Sequence, residues 1–152
     1  MSEVLESKVV VISRLRADRA RVWASISTLE GVNLEMNPWL DMTPPGGATL
    51  EEALSRETLP LKLKGPFGIP LGTYPLGLLR LTEGEGFLEQ TWMMPFLLWQ
   101  HERTIRELPE GGTEITDALA WKWRAGPLDR VIAFGVRRFF EHRHRKLAEK
   151  VE

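Results

Sequence analysis

Apolar and polar positions at the start of the chain change from a strand-like to a helix-like pattern. Residues 8–15 are rich in β-branched side chains and end at a charged cluster, which predicts a strand. After Asp18, apolar side chains recur at three- and four-residue spacing as far as Leu29, which predicts a helix. Gly31 stands where a left-handed C-terminal cap would be expected.

The segment that follows is apolar but broken by proline and glycine. A second short helix is predicted around 32–36, because Asn37-Pro38 would stop it. Seven of the ten prolines lie between Pro38 and Pro75, which argues against a long helix there. Residues 59–63 alternate leucine with proline or lysine and predict a strand. We expect the apolar loop 65–70 to lie against a cavity mouth or a partner, since linkers are usually polar.

The second half of the chain predicts an antiparallel meander followed by a long helix. The predicted strands are 76–82, 87–93, 98–108 and 113–123, with hairpin turns at 83–86 and 109–112. Gly126-Pro127 then opens an amphipathic helix. Its apolar stripe consists of Leu128, Ile132, Val136, Phe139, Phe140, Leu147 and Val151. Arg143 falls within this stripe, where we expect it to reach a carboxylate of the sheet, reach a carbonyl near the cavity end, or snorkel.

This order of elements predicts the fold class. A strand, two short helices, a run of antiparallel strands and one long terminal helix is an α+β order. We therefore predict a curved antiparallel β-sheet wrapped around a long C-terminal α-helix, with the two short helices after the first strand. A chain of 152 residues can bury a sufficient core by itself, so we predict a single domain spanning residues 1–152.

Composition and charge narrow the classes of function. The chain has no cysteine, which removes thiol nucleophiles, disulfides and Cys-ligated metal sites. Its formal net charge of -1 argues against nucleic-acid binding. The apolar runs are too short for a signal peptide or a membrane span, so we predict a cytoplasmic protein with no integral membrane segment. His142 and His144 are two residues apart on a helix and point in different directions, and cofactor motifs are absent, so neither a metal nor a cofactor is predicted.

The turn at 109–112 allows the register of its two strands to be counted. If it is a three-residue loop with Gly111 in the left-handed conformation, Leu108 faces Gly112. The pairs that follow are Trp99 with Trp121, His101 with Leu119, Arg103 with Asp117, and Ile105 with Ile115. All of them lie on one face because side chains alternate with period two, and their apolar majority makes this the buried, concave face.

A second count, across Pro95-Phe96, sets Glu89 against Arg103 and predicts an inward cluster of Glu89, Arg103 and Asp117. An inward arginine needs carboxylate partners. One interpretation of the cluster is a structural ion network that keeps the strands in register. The other is that Arg103, with His101 beside it, forms the polar floor of an apolar pocket and orients a ligand carboxylate, phenol or carbonyl.

Three groups of residues resemble the sequences of a known superfamily. They are Trp99-x-His101-x-Arg103, Thr116-Asp117-x-Leu119 and Phe139-Phe140-x-x-Arg143-His144-x-x-Leu147. Together with the order of elements, they resemble the START-like helix-grip superfamily, also called SRPBCC or polyketide cyclase/dehydrase-like, over nearly the whole chain. The resemblance implies a hydrophobic cavity between the sheet and the long helix. It implies no single chemistry, because members include lipid carriers, plant hormone receptors and aromatase/cyclases.

We therefore expect a carrier or sensor that binds a small hydrophobic molecule, such as a lipid, a polyketide-like compound or an aromatic compound. The expected walls of the pocket are Trp99, Leu119, Trp121, Ile132, Val136, Phe139 and Phe140, and its expected polar end is Glu89, His101, Arg103 and Asp117. One alternative is a cyclase or dehydratase that uses His101 or Asp117 as acid or base. A second is a protein-interaction module with a filled core, which binds its partner through Pro60 to Pro75. No residue is assigned a catalytic role, and the sequence leaves open a homodimer.

Overall fold

The computed structural model describes residues 4–44, 59–94, 97–123 and 128–152. This part of the chain forms two antiparallel sheets and three α-helices. In chain order the elements are β1 (Val9–Leu15), α1 (Arg19–Ile26), α2 (Leu29–Met36), β2 (Asp41–Thr43), β3 (Leu59–Lys64), β4 (Pro70–Leu76), β5 (Leu78–Thr82), β6 (Gly86–Met94), β7 (Leu97–Glu107), β8 (Thr113–Trp123) and α3 (Asp129–Val151).

A five-stranded sheet with the order β1-β8-β7-β6-β5 forms the larger layer of the molecule. A three-stranded sheet has the order β2-β3-β4, and α3 packs against α1, α2, β1 and β8. The predicted α+β architecture, with an antiparallel sheet around a long C-terminal helix and two short helices after the first strand, is confirmed.

The sequence predicted the strand 59–63 but not the three-stranded sheet to which it belongs. Strand β4 contains two prolines, at positions 70 and 75, which lower strand propensity. It lies at the edge of its sheet, where a missing backbone donor is tolerated. Tyr74 and Leu76 of β4 pair with Leu61 and Leu59 of β3, and all four side chains are buried together. Packing on one face therefore outweighs the local propensity.

The register predicted across the 109–112 turn is confirmed. Residue 99 of β7 pairs with residue 121 of β8, and Arg103 pairs with Asp117. Gly111 has a φ of 97°, which is the left-handed conformation on which the count depended. Arg103 and Trp121 consequently lie on the same buried face of the sheet.

The register predicted across Pro95-Phe96 is wrong by two residues. Glu89 pairs with His101 rather than with Arg103, and Phe87 occupies the position opposite Arg103. The pairing contains an irregularity between Trp92 and Met94, so a count that assumes a regular ladder fails there. Glu89 keeps its inward direction, because a shift of two residues leaves the face unchanged.

Gly31 is not the predicted C-terminal cap of the first helix, because α1 ends at Ile26 and Gly31 lies inside α2. Thr28 caps α2, and its Oγ1 accepts a hydrogen bond from the Gly31 backbone N–H at 3.0 Å. A Cβ atom at position 31 would lie 1.7 Å from the backbone oxygen of Ser25. The glycine therefore permits a close approach between the two helices. The end of the second helix at Met36 agrees with the prediction.

The two halves of α3 pack differently. Its C-terminal half buries Phe140, Leu147 and Val151 of the predicted stripe, whereas Ile132, Val136 and Phe139 in the N-terminal half are only half-buried. The predicted start of this helix at Gly126-Pro127 lies outside the described residues. No helix in the described part of the chain is long and apolar enough to cross a membrane.

The apolar loop between β3 and β4 is largely exposed. Phe67 and Ile69 of the loop and Leu71 at the start of β4 all face solvent, and Phe67 is completely exposed. Leu63 of β3, next to the loop, lines the cavity described below, but no residue of the loop 65–70 does. The expectation that the loop itself lies against a cavity mouth is therefore not confirmed.

Candidate functional site

A buried ion network connects β7, β8, α2 and α3. Arg103 is completely buried, and all three nitrogens of its guanidinium group donate hydrogen bonds. Its Nε and Nη2 donate to the two carboxylate oxygens of Asp117 at 2.8 and 2.7 Å, and its Nη1 donates to Glu35 Oε2 at 2.9 Å. The predicted pair of Arg103 and Asp117 is confirmed, but the second carboxylate is Glu35 of α2 rather than Glu89.

Asp117 accepts hydrogen bonds from two histidines as well. His101 Nε2 lies 2.5 Å from Asp117 Oδ1, and His144 Nε2 lies 2.7 Å from Asp117 Oδ2. The other ring nitrogen of His144 lies 2.7 Å from the hydroxyl oxygen of Ser13, which can donate to it. His142 points elsewhere, towards the backbone oxygen of Asn37 at 2.8 Å. Among the described residues, no group of His, Asp or Glu side chains is arranged to hold a metal ion.

The network keeps both of its central groups charged. Burial acts to raise the pKa of Asp117, but the charge of Arg103 and the hydrogen bonds from Arg103 and His101 outweigh it and hold the pKa of this carboxyl well below its usual value. Burial likewise acts to lower the pKa of Arg103, and Asp117 and Glu35 together raise it above its usual value. Each partner therefore offsets the cost of removing the other from water.

His101 and Glu89 extend the network towards open space. His101 Nδ1 lies 3.4 Å from Glu89 Oε1, so the two ring nitrogens of His101 face two different carboxylates. The imidazole is packed edge-on between Phe87 and Phe140, with centroid distances of 5.3 and 4.9 Å. The histidine is thus both buried and held in one orientation.

Arg143 is a second buried arginine on the same side of the molecule. Its Nε donates to Glu35 Oε1 at 3.3 Å, and its guanidinium lies 4.8 Å from the ring centroid of Phe140. The sequence placed Arg143 in the apolar stripe and left open a carboxylate of the sheet, a carbonyl near the cavity end or snorkelling. The structure instead supplies a carboxylate of α2. Burial lowers the pKa of Arg143, and the charge of Glu35 opposes this shift.

A cavity of about 320 Å³ lies between the sheets and the N-terminal half of α3. Its walls are almost entirely apolar, and it is partly open to solvent. The lining residues are Met36, Leu40, Met42, Leu63, Tyr74, Glu89, Trp99, His101, Trp121, Ile132, Gly135, Val136, Phe139, Phe140 and Arg143. A smaller space of about 50 Å³ adjoins it and shares Glu89, His101 and Arg143 as lining residues. The polar groups therefore stand between the two spaces.

Most of the residues that the sequence assigned to the pocket surround this cavity. Those lining it are Glu89, Trp99, His101, Trp121, Ile132, Val136, Phe139 and Phe140. Three of the assigned residues, Arg103, Asp117 and Leu119, are completely buried behind the wall and do not line it. Their inward direction was predicted correctly. However, the space in front of these three side chains is filled by the ion network and the hydrophobic core, so they do not reach the cavity.

Sequence reasoning missed Glu35, His144 and Tyr74. Glu35 follows Gly31 by four residues, so the two share one face of α2. The available signal for Glu35 was a carboxylate on the same helix face as a glycine, since that face is buried. His144 is adjacent to Arg143, and only the rotation of α3 against β8 brings its ring to Asp117. Tyr74 lies on the strand that was not predicted.

The fold is shared with solved structures of low sequence identity. A protein from Chromobacterium violaceum has a TM-score of 0.72 at 12% identity, covering 97% of this chain and 99% of that chain. Ara h 8.0201 has a TM-score of 0.69 at 10% identity, with 94% and 95% covered. A START superfamily protein from Mycobacterium smegmatis has a TM-score of 0.67 at 13% identity, with 94% and 95% covered.

The START-like helix-grip fold that the sequence motifs resemble is therefore the fold of this chain. At these identities the likeness extends to the fold alone. No curated protein sequence matches the chain. The sequence model of one family matches residues 13–151, so the chain belongs to the family described as Domain of unknown function (DUF8410).

Proposed function

We propose that the protein is a carrier or sensor that binds a small hydrophobic molecule in the cavity between the sheets and α3. The observation that carries this proposal is the cavity of about 320 Å³, which is large enough for a small ligand and is walled by aromatic and aliphatic side chains. Removing apolar ligand surface from water contributes about 25 cal/mol per Å² before the costs of association.

The polar groups of the cavity support a ligand with a single polar end. Glu89, His101 and Arg143 lie together on one wall, next to the smaller space. Another part of the cavity, around Trp121, Ile132 and Val136, is apolar. An amphiphilic ligand would place its polar group against the first wall and its apolar part against these residues.

Gly135 provides a test of this proposal. It lies on α3, is exposed to solvent and lines the cavity, and a Cβ atom there would meet no heavy atom within 4 Å. We expect Gly135→Trp to fold normally and to weaken binding of the neutral apolar dye Nile red at least tenfold, because the indole would occupy the cavity. Gly135→Ala is the matched control and should bind the dye as the wild type does. Equal dye affinity in Gly135→Trp and Gly135→Ala would contradict binding in this cavity.

A second candidate function is that of a cyclase or dehydratase on a polyketide-like substrate. The observation in its favour is that Glu89 and His101 face each other at 3.4 Å on the cavity wall, where they could exchange a proton with a bound molecule. The test is to incubate the protein with a β-hydroxyacyl thioester and to follow loss of water by mass spectrometry. Turnover that disappears in Glu89→Gln while Nile red binding persists would favour the enzyme over the carrier.

A further inference from the structure

Arg143 brings to the cavity wall a guanidinium group whose hydrogen-bonding capacity is only partly used. Its side chain is 6% exposed, and its Nε donates to Glu35. Neither Nη1 nor Nη2 has a hydrogen-bond partner among the described residues. Arg143 lines both the main cavity and the smaller space. Ser25 Oγ is the only fully buried side-chain polar atom without a partner in the described residues, so the Nη atoms of Arg143 are accessible from the cavity. A guanidinium group has five N–H donors and no acceptor, so these nitrogens can donate to an acceptor on a bound molecule.

Arg103, the arginine that the sequence suggested for this role, cannot perform it. Its Nε, Nη1 and Nη2 all donate to Asp117 or Glu35, and it does not line the cavity. Arg103 organises the network, and Arg143 is the arginine that remains available to a ligand.

The charges around Arg143 determine which acceptor fits. Two arginines, Arg103 and Arg143, stand with three carboxylates, Glu35, Asp117 and Glu89. The arginines and carboxylates alone give two positive charges against three negative ones.

A buried ligand carboxylate would add a fourth carboxylate to this set, which is costly in a poorly solvated site. An uncharged acceptor adds no charge.

We propose that the ligand of this cavity carries an uncharged carbonyl, as in an ester, a ketone or an aldehyde, and that its oxygen accepts hydrogen bonds from Nη1 and Nη2 of Arg143. The inference rests on the proposed binding function and names the class of ligand. A carbonyl oxygen has two lone pairs, so it can accept from both donors without adding a charge.

Tyr74 also lines the cavity, beside Glu89. Burial, followed by the charge of Glu89, raises the pKa of Tyr74 well above its usual value. The phenol therefore stays protonated at neutral pH and adds no charge to the groups around the cavity.

The experiment compares three ligands with the same carbon chain, methyl decanoate, decanoate and decane, by displacement of Nile red from the full-length protein at neutral pH. We expect the ester to bind at least about tenfold more tightly than decane, because a single charge-assisted hydrogen bond already has about that effect. We also expect decanoate to bind more weakly than the ester. Tighter binding of decanoate than of the ester would overturn the inference.

Variants then assign the preference to Arg143. Arg143→Met should bring the affinity for the ester down to that for decane, while the affinity for decane stays within about threefold. The matched control is Arg138→Met, the same change at an exposed position of the same helix. An ester preference that persists in Arg143→Met would overturn the inference. If this variant does not fold, Arg143→Lys keeps the charge beside Glu35 and should lose most of the ester preference.

The results also separate this inference from the proposed function. Displacement of Nile red by decane without any gain for the ester overturns the carbonyl assignment and leaves the binding function standing. Failure of decane, the ester and the dye to bind overturns both.

Discussion

At the residue scale, a single completely buried arginine connects three elements. Arg103 is surrounded by Asp117 and Glu35, and each of its three nitrogens has a carboxylate oxygen within 2.9 Å. A buried charge is tolerated only when it is paired and hydrogen-bonded. Removing the arginine would leave two carboxylates in the interior without their main partner.

Arg103→Met should therefore lower the free energy of unfolding by about 3–5 kcal/mol. Arg106→Met is the matched control, because Arg106 lies on the same strand but on the exposed face, paired with Glu114 at 2.9 Å. That exposed pair contributes at most about 1 kcal/mol. Urea-induced unfolding of both variants measures the difference. Similar losses in the two variants would show that the buried network does not contribute as its geometry indicates.

Asp117 also predicts how stability depends on pH. Its pKa in the folded protein lies well below the ordinary 3.8, so folding favours the ionised form. The contribution of ionised Asp117 to the free energy of unfolding is fully present above about pH 4. As the pH falls below this value, the unfolded chain takes up a proton that the folded state does not hold, and stability is lost until the lowered pKa is reached.

In Asp117→Asn this part of the acid-dependent loss should disappear, although the variant is less stable at neutral pH. The free energy of unfolding, measured between neutral pH and about pH 3, gives the slope for each protein. An unchanged slope in the variant would mean that other carboxyl groups carry the acid dependence.

At the element scale, the contact between α1 and α2 determines where Glu35 points. Gly31 lets the start of α2 approach the backbone oxygen of Ser25, and Glu35 lies one turn further along the same face. The position of the network on the sheet therefore depends on a residue that makes no contact with it.

We expect Gly31→Ala to destabilise the protein by about 1–3 kcal/mol, because the added methyl group would overlap the Ser25 carbonyl. The same substitution at Gly135, where space is open, should stabilise α3 by about 0.5–1 kcal/mol through helix propensity. Thermal unfolding of the two variants provides the comparison. Equal effects of the two substitutions would contradict the close packing at position 31.

At the scale of the whole molecule, the long helix closes the interior without filling it. The C-terminal half of α3 buries Phe140, Leu147 and Val151 against the sheet and the short helices. The N-terminal half faces the cavity through Ile132 and Val136 and leaves Phe134 in solvent. Helices in proteins owe most of their stability to packing, so the two halves should differ in stability.

Hydrogen exchange of backbone amides should show this difference. Amides of residues 133–139 are expected to exchange faster than those of 143–151, because fewer buried side chains hold the first segment. Saturating methyl decanoate should slow exchange in residues 133–139 and leave residues 143–151 as they were. Uniform protection along the helix, with or without the ester, would contradict the proposed arrangement.

The sequence by itself determined the fold class, the register of β7 with β8, and the inward direction of Glu89, His101, Arg103 and Asp117. These features follow from local rules: hydrophobic periodicity, the alternation of side chains along a strand, and a short turn with glycine at a left-handed position. Such rules act between residues that are close in the chain or joined by one regular turn. They fail where the ladder is irregular, as between Trp92 and Met94.

Only the tertiary structure decided which charged groups meet. Glu35 reaches Arg103 across 68 positions of the chain, and Arg143 reaches Glu35 across 108. No periodicity or spacing in the sequence predicts either contact, because each depends on how a helix is rotated and packed on the sheet. For the same reason only the structure shows that Arg143, and not Arg103, presents free donors to the cavity.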